Sequence, residues 1–257
     1  EPVKKIILVL VLLLVAVIGG GLYYVYTNLD AIVKAAIEKA GSQTTQTAVR
    51  VDSVKIVLSD GTGTINGLSI ANPKGFETSH AFLLDAVETQ IDIKSLTKEP
   101  YIIDKVIIRK PQVFYEMNKD REGNLNKLYS NITAVTAGDS KDKAIGKGAE
   151  PKLIIRHFLF ADATVEATVV PLNDKKYTLK LPTIDLKDLG GKDGATPAEI
   201  SQQVLRIITE RALAEVKRAG IDEKAQALKS EAQKKLDTKK RDVEGKAGEK
   251  LKNLLGK

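Results

Sequence analysis

A chain of 257 residues can hold one domain of ordinary size with appendages, or at most two small ones. Its 43% hydrophobic and 28% charged residues are close to globular averages, so most of it can fold around a core, and with no Trp and 5% aromatics that core must be aliphatic. The absence of Cys excludes disulfides, thiolate nucleophiles, zinc ribbons and iron–sulfur clusters, and two His (His80, His157) exclude a His-rich metal site, while a net charge of +7 permits an anionic partner, nucleic acid or bilayer.

Residues 6–27, IILVLVLLLVAVIGGGLYYVYT, run for about twenty positions without a charge. At about 1.5 Å per residue such a run crosses roughly 30 Å of hydrocarbon, where its backbone can satisfy itself only as a helix. Lys4 and Lys5 flank one end, and Tyr23, Tyr24 and Tyr26 gather at the other. That asymmetry predicts residues 1–5 in the cytoplasm and everything after 27 across the membrane. A cleavable signal peptide is the rival reading, but it would have a shorter apolar region and a small-residue cleavage site, where here bulky Tyr follow. Without Cys a lipoprotein anchor is excluded.

Asn28 is placed to cap a short amphipathic helix over 28–41, with Leu29, Ile32, Val33, Ala36, Ile37 and Ala40 on one face and Gly41 as its stop. A β-rich domain over 46–190 follows. Its segments, rich in β-branched residues and bounded by turn residues, are predicted at 48–58, 63–71, 82–93, 101–117, 151–170 and 176–186. Alternation changes phase between Val49/Val51 and Val54/Ile56/Leu58, which implies a bulge or a strand crossing a curved sheet. The turn SDGTG at 59–63 makes a hairpin of the first two segments, with Gly61 and Gly63 free to take positive φ. The stretch 137–150 has no apolar periodicity and is predicted to be an exposed loop.

From Thr196 the pattern becomes helical. Thr196, Pro197 and Glu199 form a complete helix-start signal, and Val204, Leu205, Ile208, Ala212, Val216 and Ala219 line one face suited to packing on the sheet. Beyond Gly220 the apolar positions Ile221, Ala225, Leu228, Ala232, Leu236, Val243, Ala247 and Leu254 recur with a period near eleven, a narrow stripe crowded by Lys and Glu. The expected fold is therefore α+β. An N-terminal transmembrane helix precedes a curved, mostly antiparallel sheet shaped as a groove or half-barrel, and a basic amphipathic helical tail covers 196–257.

Four stretches stand in a recognisable order: GLSIANPKGF at 67–76, IDIKSL at 91–96, VIIRKPQVFYE at 106–116 and GNLNKL at 123–128. With the apolar helix, short helix and hairpin before them, they resemble AsmA-like proteins of the Gram-negative envelope over roughly residues 1–133. The resemblance implies an inner-membrane protein facing the periplasm, with a chorein-type β-groove like that of bridge-like lipid-transfer proteins and membrane lipids, phospholipid acyl chains among them, as partners. It departs in two respects. Long members repeat the groove, whereas this β part shows no internal repeat, and the last helix is not a usual family ending.

Candidate chemistry is sparse. Gly61, Gly63 and Gly67 lie in a hairpin region rather than between strand and helix, so they do not read as a phosphate cradle. Asp85, Asp92, Asp104 and Glu116 alternate along strands as solvent-facing residues do. His157 reads as a structural histidine sharing a face with Ile155 and Leu159. Pro73 and Gly75 force the NPKGF segment out of the sheet, leaving Phe76 to plug one end of the core. No catalytic residue, cofactor or metal site is expected, and the chain is not expected to be an enzyme.

The apolar strand residues Ile65, Leu68, Ile70, Leu84, Val87, Ile91, Ile93, Ile103, Ile107, Val113, Ile155 and Leu159 can line a lipid groove or form a core closed by the helix at 200–219. In the tail, Lys234, Lys235, Lys239, Lys240 and Arg241 beside a weak apolar stripe suit adsorption to anionic lipid, at about 1 kcal/mol per basic residue near the surface. A merely solvated helix, or one docking on another envelope protein, is the competing reading of that tail. DNA binding lacks an aromatic platform or docking motif. The functional expectation is a non-catalytic contribution to envelope lipid transport or outer-membrane biogenesis, with a structural scaffold as the alternative.

Overall fold

β-Branched segments of alternating polarity pair into one sheet. The computed structural model describes residues 27–138, 151–169 and 175–221, with positions 230, 234, 235, 238, 239 and 241. Its strands are β1 (Val49–Arg50), β2 (Ser53–Val57), β3 (Thr62–Ala71), β4 (His80–Ile91), β5 (Tyr101–Arg109), β6 (Gln112–Met117), β7 (Leu153–Ala161), β8 (Thr164–Val169), β9 (Lys175–Lys180) and β10 (Ile184–Leu189). Helices α1 (Leu29–Thr45), α2 (Asn124–Gly138) and α3 (Pro197–Arg218) accompany the sheet among the described residues, with a 3-10 turn at Ile93–Thr97. Together they make an α+β molecule in which a curled mixed sheet forms a half-barrel.

Several strands are halves of longer, broken paths. β5 and β6 both pair antiparallel with β4, β7 and β8 run parallel to β5 and β6, and β9 and β10 pair antiparallel with β8 and β7. The paths 49–57, 62–71, 80–91, 101–117, 153–169 and 175–189 therefore lie side by side in chain order, close to the six segments expected from the sequence. The parallel step arises between the fourth and fifth paths, because parallel neighbours need a crossover connection and α2 lies in it.

The breaks fall in a row. Lys110 (φ 52) and Asp162 (φ 55) are left-handed, and Gly67 (φ 60) faces Asp52, which leaves no room for a side chain at that position. The interrupted paths stay bonded across the row, Lys110 N–H to Ala161 O at 2.9 Å, Thr164 N–H to Pro111 O at 3.0 Å and Leu181 N–H to Ala163 O at 2.9 Å. Ile108 and Val113, Phe160 and Val165, and Leu84 and Val87 are each an odd number of positions apart, yet all join one core. With a side-chain period of two, each path must swap faces at the row, which is how the sheet bends into a half-barrel. The phase change read from Val49/Val51 to Val54 is the first of these breaks.

Local expectations met mixed outcomes. Thr196 and Glu199 form the capping box of α3, and Gly61 takes φ 69 at the hairpin turn whereas Gly63 pairs as a β3 residue. Asn28 stands at the start of α1 without a side-chain capping bond, and α1 does not stop at Gly41 but runs to Thr45 before the left-handed Gln46. A Cβ at Gly41 would come within 3.1 Å of Val49, so this glycine serves helix–strand approach rather than termination. Helix α2 extends to Gly138, into the stretch expected as loop, and the remainder of that loop, 139–150, lies outside the described residues. So does the apolar run apart from Thr27, and so do all the apolar positions of the stripe beyond Ile221. Among the described residues no helix is long and apolar enough to cross a membrane.

Helix α1 corrects the sequence reading. Its expected apolar stripe leaves Ile32, Ala36 and Ala40 exposed and Leu29, Val33 and Ile37 half-buried. What meets the sheet is the polar row Asp30, Lys34, Glu38 and Ser42, four residues apart. Asp30 accepts from Ile56 N–H and Glu38 from Val51 N–H, each at 2.9 Å, Ser42 accepts from Val49 N–H at 2.9 Å, and Lys34 donates to Asp52 O at 3.0 Å. The edge strand thereby finds on a helix the partners that a neighbouring strand would give it.

Candidate functional site

One apolar cluster joins the sheet to α2 and α3. Phe82, Leu84, Val87, Val106, Ile108, Val113, Phe158, Phe160 and Val165 meet Leu125, Leu128 and Ile132 of α2 and Leu205, Ile208, Ala212 and Val216 of α3, all buried. Gln202 of α3 donates to Thr133 of α2 at 2.9 Å, and Asn131 of α2 donates to Thr45 O of α1 at 3.0 Å, so the three helices are tied in sequence. Within the buried face of α3, the Thr209 hydroxyl has no hydrogen-bond partner among the described residues.

Of the twelve groove candidates, Leu84, Val87, Val113 and Ile155 are buried in this cluster, and Ile65, Leu68, Ile70 and Ile103 pack against it half-buried. Ile107 and Leu159 do not join it. They sit side by side in the parallel pair but alternate with Val106, Ile108, Phe158 and Phe160, which take the core side, so the expected lining holds at Ile103 and Ile155 and is one residue off in the later half of each strand. Ile91 ends β4 outside the cluster, and Ile93 stands 43% exposed in the 3-10 turn rather than on a strand.

Three of the four ordered stretches converge on a polar knot that sequence reading missed. Glu116, expected to face solvent, is fully buried. Its carboxylate accepts from Glu77 N–H and Thr78 N–H at 2.7 Å each and from the Thr78 hydroxyl at 2.6 Å. Asn124, at the start of α2, accepts from Glu116 N–H at 2.9 Å and donates to Phe114 O and to Asn72 Oδ1 at 2.7 Å each. Asn72 in turn donates to Thr78 O at 2.8 Å. The NPKGF turn, the end of β6 and the first turn of α2 are thus fixed by one buried carboxylate, since a buried charge must be fully hydrogen-bonded to be tolerated. Pro73 is buried and Gly75 has φ 98, as the turn requires, but Phe76 is half-buried and outside the core. The signal was the clustering of Asn72, Glu116 and Asn124 in separate motifs.

The other acidic and histidine candidates from the sequence sit at the surface. Asp85 is exposed, Arg156 pairs with Asp104 and lies 3.8 Å from Asp92, and His157 meets Asp185 at 3.1 Å with both side chains open to solvent. Such pairs contribute about 0–1 kcal/mol. Among the described residues no group of three His, Cys, Asp or Glu side chains could hold a metal ion. In the tail, Lys234, Lys235, Lys239 and Arg241 are helical and exposed, and Lys240 lies outside the described residues. A cavity of about 300 Å³ opens where α1 begins, lined by Thr27, Leu29, Asp30, Ile56, Val57, Leu58 and Ser59.

The chain matches no family model and no curated protein.

Proposed function

We propose that this chain is a non-catalytic, inner-membrane-anchored periplasmic protein of AsmA-like character that serves envelope lipid transport or outer-membrane biogenesis through its apolar β-groove. The observation that carries this reading is a half-barrel sheet whose helix-facing side is almost wholly apolar and is covered by single amphipathic helices rather than by a second sheet. The stripe of α3 and an acyl chain are equally apolar. Exchanging one for the other therefore keeps strand side chains out of water and costs mainly the packing of the helix. Residues 6–27 hold the domain at the membrane, with residues 1–5 in the cytoplasm. The basic tail reaches anionic lipid or another envelope protein.

A second reading, a structural scaffold with a closed β-domain and a partner-binding tail, has an observation of its own. Leu205, Ile208, Ala212 and Val216 are only 7%, 5%, 0% and 1% exposed, so α3 fills the half-barrel as a core helix does. Photo-reactive side chains placed at Val113 and Phe160 in cells separate the two. Lipid adducts at both positions, with none at the exposed Lys105, are expected for the groove. Protein-only adducts at all three would leave the scaffold.

A further inference from the structure

The large exposed apolar side chains of the described residues are Ile32, Val57, Leu58, Ile93 and Leu96, at 41%, 37%, 46%, 43% and 49% exposure. Val57, Leu58, Ile93 and Leu96 come from two segments distant in sequence, yet they gather at one end of the half-barrel. Val57 and Leu58 close β2, and Gln90 Nε2 donates to Asp60 O while Ile91 N–H donates to Gly61 O at 2.8 Å, which brings the end of β4 and the following 3-10 turn against the β2–β3 hairpin. A Cβ at Gly61 would lie 3.0 Å from Ile93 Cγ1, so the hairpin and the turn that carries Ile93 and Leu96 are in contact. The start of α1 joins them, because Asp30 holds Ile56 and because Thr27 and Leu29 line one cavity with Val57 and Leu58. A soluble surface scatters such residues singly, and their concentration at one end marks an interaction site.

The occupant follows from where the apolar run ends. Thr27 is the last residue of 6–27, and a segment that crosses a bilayer ends at its interface. Whatever touches Thr27 then lies at that interface too. We propose that Val57, Leu58, Ile93 and Leu96 form a rim that rests in the bilayer surface and stands the half-barrel on the membrane by this end, with the 300 Å³ cavity opening at the interface. The proposal rests on the reading of 6–27 as a membrane anchor. Charge at this end is mixed, with exposed Lys55, Lys94 and Lys98 against Asp60 and Glu99. Apolar insertion, and not net charge, therefore holds the rim, and it engages zwitterionic lipid as well as anionic lipid.

The chain has no Cys, so single cysteines can carry an environment-sensitive fluorophore without background. The full chain is reconstituted in phosphatidylcholine vesicles with labels at L13C, L58C, L96C and D120C, the last in the exposed turn after β6 at the opposite end. Insertion at headgroup depth should make lipid-borne nitroxide quench L58C and L96C about threefold more than D120C, with L13C quenched most. If L13C is quenched while L58C and L96C behave as D120C, the rim is overturned and the anchor stands. If L13C escapes quenching, the anchor reading fails and the rim with it. If L58C and L96C are protected from aqueous iodide but not quenched by lipid, protein covers this end and the rim is overturned.

Discussion

Helices α1 and α3 both cover the sheet, but with opposite chemistry. Helix α3 lies on a face and uses Leu205, Ile208, Ala212 and Val216, while α1 lies along the β1–β2 edge and uses Asp30, Lys34, Glu38 and Ser42. A sheet face offers side chains whose backbone is already paired, so an apolar stripe suffices to cover it. A sheet edge offers unpaired N–H and C=O groups, and only polar atoms at the right spacing can take them. A helix of 3.6 residues per turn places side chains four apart on one side, which lets the α1 row follow the strand. Apolar periodicity therefore predicts the buried side of a helix only when the helix lies on a face.

That comparison can be broken by substitution, read as changes in denaturation midpoint of the full chain. Ile208→Ala should have the largest effect, a loss of about 2–5 kcal/mol, because it removes buried methylenes from a filled interface. A loss below about 1 kcal/mol would show that α3 is loosely seated, as a removable groove cover would be. Glu116→Gln tests the one buried carboxylate among the described residues. Its amide would aim a donor at donors, and about 2–3 kcal/mol should be lost. Glu38→Ala should cost about 1–2 kcal/mol by stranding the N–H of buried Val51, and a neutral result would mean that water replaces the helix at this edge. Thr209→Val should go the other way by about 1 kcal/mol, since it removes an unpartnered hydroxyl from the α3 face at nearly constant volume.

The sequence was most legible where local signals are self-contained. The capping box at Thr196 and Glu199, the α3 stripe, and the six β segments with the first phase break were all readable, because each depends on neighbours within a few residues. Glu116 was not, since its partners Glu77 and Thr78 are 39 and 38 positions away and a buried carboxylate looks like an exposed one in an alternating strand. The lining slipped by one residue in the later halves of β5 and β7, because the neighbours Val106, Ile107 and Ile108, and Phe158, Leu159 and Phe160, are apolar on both faces.

By itself the sequence determined an uncharged apolar run, an aliphatic β-rich middle and a capped helix, since hydropathy, period and capping act over short distances. Tertiary structure alone decided the row of breaks that bends the sheet, the side on which α1 meets it and the gathering of Val57, Leu58, Ile93 and Leu96 at one end. These depend on which strands become neighbours, and chain spacing carries no record of that.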